Sequence, residues 1–87
     1  MPLIEREVKV MNSQGLHARP AALFVQIAVK YDSNVTITKD GESVNGKSIM
    51  GILMLGAQKD SMVHIKAEGE DAEVLVNELE EFLSKDE

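Results

Sequence analysis

The sequence predicts a two-layer α+β sandwich, an open-faced fold in which an antiparallel sheet of four strands is covered by three helices on one face, in the order βαββαβα. Two observations carry this. Short segments of period-two alternation are interleaved with stretches whose apolar residues recur at helical spacing, and each boundary has the composition of a turn. Hydrophobic residues make up 44% and charged residues 28%, a balance that supports a packed core rather than disorder. A chain of 87 residues suffices for one such core and not for two, so residues 1–87 are expected to form one domain that folds without a partner.

The first element runs from Ile4 to Met11. Ile4, Val8 and Val10 share one parity, and Glu5, Glu7 and Lys9 share the other, as in a strand with one buried face. Arg6 is the exception on the inward parity. After the loop Asn12-Ser13-Gln14-Gly15, residues Ala18 to Tyr31 place Pro20, Phe24, Ile27, Ala28 and Tyr31 on one stripe of an amphipathic helix. Pro20 suits the first turn, where its missing N–H costs nothing. His17 therefore falls at or beside the N-cap.

Val35 and Ile37 alternate with Thr36 and Thr38, and Asp40-Gly41 is a two-residue reversal leading to Val44, which together make a hairpin. Ser48 then caps a short helix, Ile49 to Leu55, closed by Gly56 and Asp60. Val63, Ile65 and Ala67 alternate with His64 and Lys66 in a fourth strand, from Met62 to Ala67. A final helix starts at Glu68-Gly69-Glu70-Asp71, whose acidic first turn would complement the positive helix end. Its inward stripe is Ala72, Leu75, Val76, Leu79, Phe82 and Leu83, with Glu73, Asn77, Glu78, Glu80 and Glu81 facing water.

Composition narrows the chemistry. A net charge of -6 and only three aromatic residues disfavour nucleic acid as a partner. The lack of cysteine removes disulfides and thiolate metal sites, and points to a reducing compartment. No stretch approaches the ~18 apolar residues of a membrane span, and the N-terminus has no leader pattern. A cytoplasmic protein without membrane insertion, and a monomer, is expected. Only two histidines occur, without metal-ligand spacing, so no metal and no cofactor is expected.

His17 is the chemical centre. A helix N-terminus offers unpaired N–H groups and partial positive charge, which attract anions and favour a neutral, nucleophilic ring. Arg19 in the same turn adds a bidentate donor for phosphate or carboxylate. The combination fits a histidine that accepts a phosphoryl group. There is no Walker-type glycine loop for ATP, so the donor would be another protein. A second candidate is Ser48, both a helix cap and a hydroxyl beside Ile49, Met50, Ile52, Leu53, Met54 and Leu55. This helix has almost no polar face, so either it is buried all round or part of it is a docking patch. Leu23, which falls off the inward stripe of its helix, favours the patch. Phosphorylation of Ser48 would place about -1.5 to -2 charges beside it and weaken the docking of acidic partners.

GLHARPAALFVQIA, VNGKSIMGILMLGA and AEGEDA closely resemble the histidine-containing phosphocarrier family, HPr, with similarity from about Val8 to Leu83. The resemblance implies that His17 takes a phosphoryl group on its δ nitrogen from enzyme I, which is charged by phosphoenolpyruvate, and passes it to enzyme IIA domains of the sugar phosphotransferase system. It implies that Arg19 assists the transfer. It also implies that Ser48 is the regulatory serine of the ATP-dependent HPr kinase/phosphorylase, with a transcriptional regulator as a further partner. By the same matching, Ala18, Ala22, Leu23, Lys47, Ile49, Met50 and Leu53 lie on a shared docking face. The protein would be a carrier rather than an enzyme. Two features separate it from parts of the family: His17 distinguishes it from a regulatory paralogue that lacks the histidine, and Gln14 stands where several relatives have a small hydroxylated or amide residue. Met54-Leu55 resembles the nitrogen-related branch, whereas Lys47 to Gly51 resembles carriers with a kinase-sensitive serine.

Overall fold

A computed structural model describes residues 1–85. The elements are β1 (Leu3–Lys9), α1 (Ala18–Ala28), β2 (Asn34–Lys39), β3 (Glu42–Asn45), α2 (Ile49–Leu55), β4 (Met62–Glu68) and α3 (Ala72–Leu83). The four strands form one sheet in the order β1-β4-β2-β3, and every neighbouring pair is antiparallel. All three helices cover one face. Against them pack Val8, Val10, Val35, Ile37, Val63, Ile65 and Ala67, all buried, as the alternation requires. From the helices come Ala21, Phe24 and Ala28 of α1, Ile52 and Leu55 of α2, and Ala72, Leu75, Val76, Leu79 and Leu83 of α3. Asp40 and Gly41 both have positive φ, 52° and 81°, as a tight hairpin turn between right-twisted strands demands. Among the described residues no helix is long and apolar enough to cross a membrane.

Where the elements end differently from the sequence pattern, another bond takes the backbone. β1 stops at Lys9, before the expected Met11, because the Val10 N–H donates to the Ser61 carbonyl and the Met11 N–H to that of Leu83, each at 2.8 Å. α1 stops at Ala28 rather than Tyr31, its last turn tightening as the N–H groups of Lys30 and Tyr31 reach only three residues back. Tyr31 is held outside the helix, its hydroxyl donating to Glu78 and its carbonyl accepting from Lys47 Nζ at 2.7 Å.

The acidic start expected for α3 is dispersed. Glu68 closes β4, and only Glu73 stands in the first turn. Asp71 occupies the N-cap position, but its carboxylate accepts from the backbone N–H groups of Asp32 and Ser33 and from the Ser33 hydroxyl, tying α3 to the loop after α1. Arg6, the misfit of β1, extends to α3 and donates to Asn77 Oδ1 at 3.1 Å and Glu80 Oε1 at 2.5 Å. Glu78 and Glu80 are thus half-buried partners rather than water-facing residues.

On the uncovered face His64 joins β4 to β1. Its Nδ1 lies 2.6 Å from Glu7 Oε2 and its Nε2 lies 2.7 Å from Glu5 Oε1. A neutral imidazole has one N–H, so two carboxylate partners require the doubly protonated ring. Hydrogen bonds to Glu7 and then Glu5 hold the His64 pKa above its ordinary 6.5. On the acid side, the Ser33 hydroxyl and the Asp32 N–H hold Asp71 below 3.8, and Lys30 and Tyr31 hold Glu78 below 4.5. The His64 contribution is complete below 6.5 and is lost as pH rises through its folded value; the carboxylate contributions are complete above 4.5 and are lost as pH falls through theirs. The urea midpoint is therefore expected to peak between these limits, and His64→Gln to flatten the part of the alkaline limb nearest neutrality, since Lys30 and Tyr31, also raised by their hydrogen bonds to Glu78, titrate only at higher pH. An alkaline limb unchanged in that variant would refute the clamp.

Candidate functional site

The loop before α1 is built by a close approach. Gly15 donates to the Asn12 carbonyl at 2.9 Å and adopts φ 66°, and a Cβ there would meet Ala57 O at 2.6 Å and Gln58 Cα at 2.8 Å. Neither the backbone angle nor the space admits a side chain. Leu16, fully buried, then donates its N–H to the Ala57 carbonyl at 2.8 Å. These contacts set the direction in which α1 begins.

His17 occupies the N-cap, with φ -77° and ψ -169°, and its carbonyl accepts from the Ala21 N–H at 2.8 Å. Its side chain makes no capping bond and is exposed. A serine or aspartate at this position folds back over the first N–H groups, whereas the imidazole leaves them uncovered. Pro20 is the third helical residue and has no N–H, so Ala18 and Arg19 supply the free amide donors of the turn. No acidic residue in that turn offsets its positive end.

Two depressions flank this start. One, of about 290 Å³, is lined by Leu16, His17, Ala18, Leu53, Gly56, Ala57 and Gln58. The other, of about 420 Å³, is lined by Asn12, Ser13, Gln14, Arg19, Pro20, Leu23 and Phe82. Arg19 is exposed, with no carboxylate partner among the described residues. The arrangement suits an anion delivered from outside, since the exposed ring, the uncapped N–H groups and an exposed guanidinium all belong to the start of one helix.

Ser48 caps α2 in full, its Oγ accepting from the Gly51 N–H at 3.0 Å and its carbonyl from the Ile52 N–H at 3.0 Å. Gly56, at φ 65°, ends the helix with the left-handed cap that glycine favours. Ile52 and Leu55 enter the core, but Met50 is 66% and Met54 72% exposed, and Ile49 is exposed beside them. A helix buried on all sides is thereby excluded. Leu23 is exposed on α1, Ala18 is exposed, and Ala22 and Leu53 are half-buried. Lys47 is also half-buried, with its ammonium held by the Tyr31 carbonyl in the loop after α1. His64 lies in the sheet, apart from His17, and among the described residues no group of three or more His, Cys, Asp or Glu is placed to hold a metal.

The sequence model of the family described as the PTS HPr component phosphorylation site matches residues 4–85. The chain belongs to the HPr family. It is 42% identical, over 97% of its length and 100% of the relative's, to the HPr-like protein Crh of Halalkalibacterium halodurans. The crystal structure of a phosphocarrier protein HPr from Bacillus anthracis superposes with a TM-score of 0.93, at 43% identity, covering 97% of this chain and 100% of that one. The solution structure of Crh, the Bacillus subtilis catabolite repression HPr, covers 97% and 100% at 39% identity, with a TM-score of 0.73. HPr proteins are phosphocarriers rather than catalysts, and the four-stranded sheet with three helices is the fold shared with these neighbours.

Three residues that position the loop carrying His17 escaped the sequence pattern: Asn12, Leu16 and Gln58. Leu16 directly precedes the helical stripe and carries no periodic signal. Asn12 is buried, its Nδ2 within 3.5 Å of the Lys85 carbonyl, so it joins the loop to the end of α3. Gly15→Ala is expected to lower unfolding stability by at least about 1 kcal/mol, from the left-handed backbone angle alone. Ser48→Ala should cost about 1 kcal/mol through loss of the cap. Urea titration of both variants checks the pair, and a neutral Gly15→Ala would show that the loop does not close on Ala57.

Proposed function

We propose that this HPr-family chain carries a phosphoryl group on His17, received from phospho-enzyme I and passed to enzyme IIA domains in phosphotransferase-system sugar uptake. One observation carries the reading: His17 stands at the N-cap of α1 without using its side chain as a cap. The ring is left exposed above the amides of Ala18 and Arg19. In the step, the lone pair of Nδ1 forms a bond to phosphorus as the bond to the donor breaks, and the donor leaves with that electron pair. The Arg19 guanidinium and the two amides take up charge on the phosphoryl oxygens. Ala18, Ala22, Leu23, Ile49, Met50 and Leu53 form the face on which partners dock, with Lys47 at its margin, and the cytoplasm is the compartment this chemistry implies.

Incubation with phosphoenolpyruvate and enzyme I should give an acid-labile, base-stable adduct that His17→Ala lacks. Arg19→Ala should be loaded roughly tenfold or more slowly, through loss of a charge-assisted contact. A folded wild type that stays unlabelled with its own enzyme I would sink the proposal.

A second reading, regulatory control at Ser48, rests on the cap itself. The Ser48 Oγ is bonded to the helix that carries the exposed methionines, so a phosphate from HPr kinase/phosphorylase would change charge at the edge of that surface. Relatives named for catabolite repression favour a transcriptional regulator as one reader of that charge. Ser48→Asp should weaken binding to enzyme I by severalfold; affinity equal to wild type for enzyme I, kinase and regulator alike would end the switch reading.

A further inference from the structure

Arg19 and Gln14 line one of the two depressions beside His17, while the other, which holds His17 itself, contains neither. In that second depression Leu16, Leu53, Gly56 and Ala57 contribute apolar and backbone groups. Gln58 contributes the one side-chain hydrogen-bond donor besides the ring.

Its backbone is fixed on both sides. The Gln58 N–H donates to Ser61 Oγ at 3.1 Å and its carbonyl accepts from the Ser61 N–H at 3.0 Å. One residue earlier, the Ala57 carbonyl takes the Leu16 N–H, and Gly15 packs so close that a Cβ would lie 2.8 Å from Gln58 Cα. Position 58 is thus locked to the backbone just before His17. Its side chain is exposed and its amide has no partner among the described residues. The fixed backbone keeps the side chain at the edge of this depression, and its amide has no existing side-chain bond among the described residues to give up when an acceptor arrives.

From this placement, and resting on the phosphocarrier reading, we infer that Gln58 is a phosphoryl-contacting residue, its Nε2–H donating to an oxygen of the phosphoryl group on His17 from the depression that Arg19 does not line. A phosphoryl group has three acceptor oxygens, and Arg19 with the first-turn amides approaches them from the α1 side. Gln58 supplies a donor from the loop after α2. Its neutrality matters, because a second fixed cation would bind the group too firmly for a carrier that must release it, whereas an amide contributes a modest hydrogen bond. A carboxylate at 58 would face the phosphoryl oxygens with like charge.

The test uses the whole protein, loaded with phosphoenolpyruvate and enzyme I. In the 15N-labelled wild type, the side-chain amide signals of Gln58 are expected to shift on phosphorylation and to return when the group is lost, while those of Gln26, outside both depressions, stay in place. Gln58→Ala should slow loading about two- to tenfold, the range of one hydrogen bond, and Gln58→Glu more strongly, with thermal midpoints near wild type. If His17 is phosphorylated but the Gln58 amide signals do not move, or if Gln58→Glu loads at the wild-type rate, the inference is overturned. A wild type that is never phosphorylated removes the phosphocarrier reading itself, and this inference with it.

Discussion

The hydrogen bond from the Leu16 N–H to the Ala57 carbonyl, 2.8 Å long, is the contact on which the functional end of the molecule depends. It brings together two loops far apart in sequence, and the entropy of closing that distance is recovered only because Leu16 is buried in the same movement. Gly15 makes the approach possible, having no Cβ to collide with Ala57. Everything around His17 follows from this junction: the direction of α1, the wall formed by Gly56, Ala57 and Gln58, and the docking of α2. A helix of seven residues is far too short to persist alone. It is held by Ile52 and Leu55 in the core, by Ser48 at one end and by Gly56 at the other.

The ion pairs among the described residues engage the sheet and α3 and leave the cation at the start of α1 unengaged. Among the described residues Arg6 is taken by Glu80, Lys30 by Glu78, Lys39 by Asp40 and Lys9 by Asp60, while Lys47 is occupied by a carbonyl. Exposed pairs of this kind contribute little each. Their effect is one of orientation, since Arg6, Lys30 and Tyr31 fix α3 against β1 and α1. Among the described residues Arg19 has no carboxylate partner, so its guanidinium would meet an incoming anion without first giving one up. In a chain of net charge -6, that is the arrangement an anion site requires.

The periodic elements were legible because each is decided locally: alternation for the strands, Asp40-Gly41 for the hairpin, Ser48 and Gly56 for the ends of α2. His17 and Arg19 were legible for the same reason, as neighbours in one turn. What the sequence concealed depends on contacts between distant segments. Tyr31 continues the helical stripe of α1 yet leaves the helix, because Glu78 and Lys47 hold it from other elements. Asp71 has the composition of a cap and instead binds the backbone of Asp32 and Ser33. Arg6 breaks the alternation until α3 supplies Asn77 and Glu80. The strand order β1-β4-β2-β3 is of the same kind, since no local pattern states which ladder a strand will join. Gln58 was invisible because nothing before folding brings it to His17.

The exposed apolar face of α2 poses an energetic conflict that the phosphocarrier reading resolves. Leaving Met50 and Met54 in water forgoes part of the stabilisation their burial would give, a real sacrifice in a chain with so small a core. A second layer of protein could bury them, but it would also cover the approach to His17, because Leu53 of the same helix lines the depression that holds the ring. Access to the ring and exposure of the methionines are therefore one constraint. Methionine is suited to it: flexible and unbranched, it packs against surfaces of differing shape with little penalty for mismatch. On the proposed reading, a carrier loaded by one protein and unloaded by others needs a face that fits several partners moderately well, and the exposed Ile49, Met50 and Met54 of α2 have the composition such a face would use.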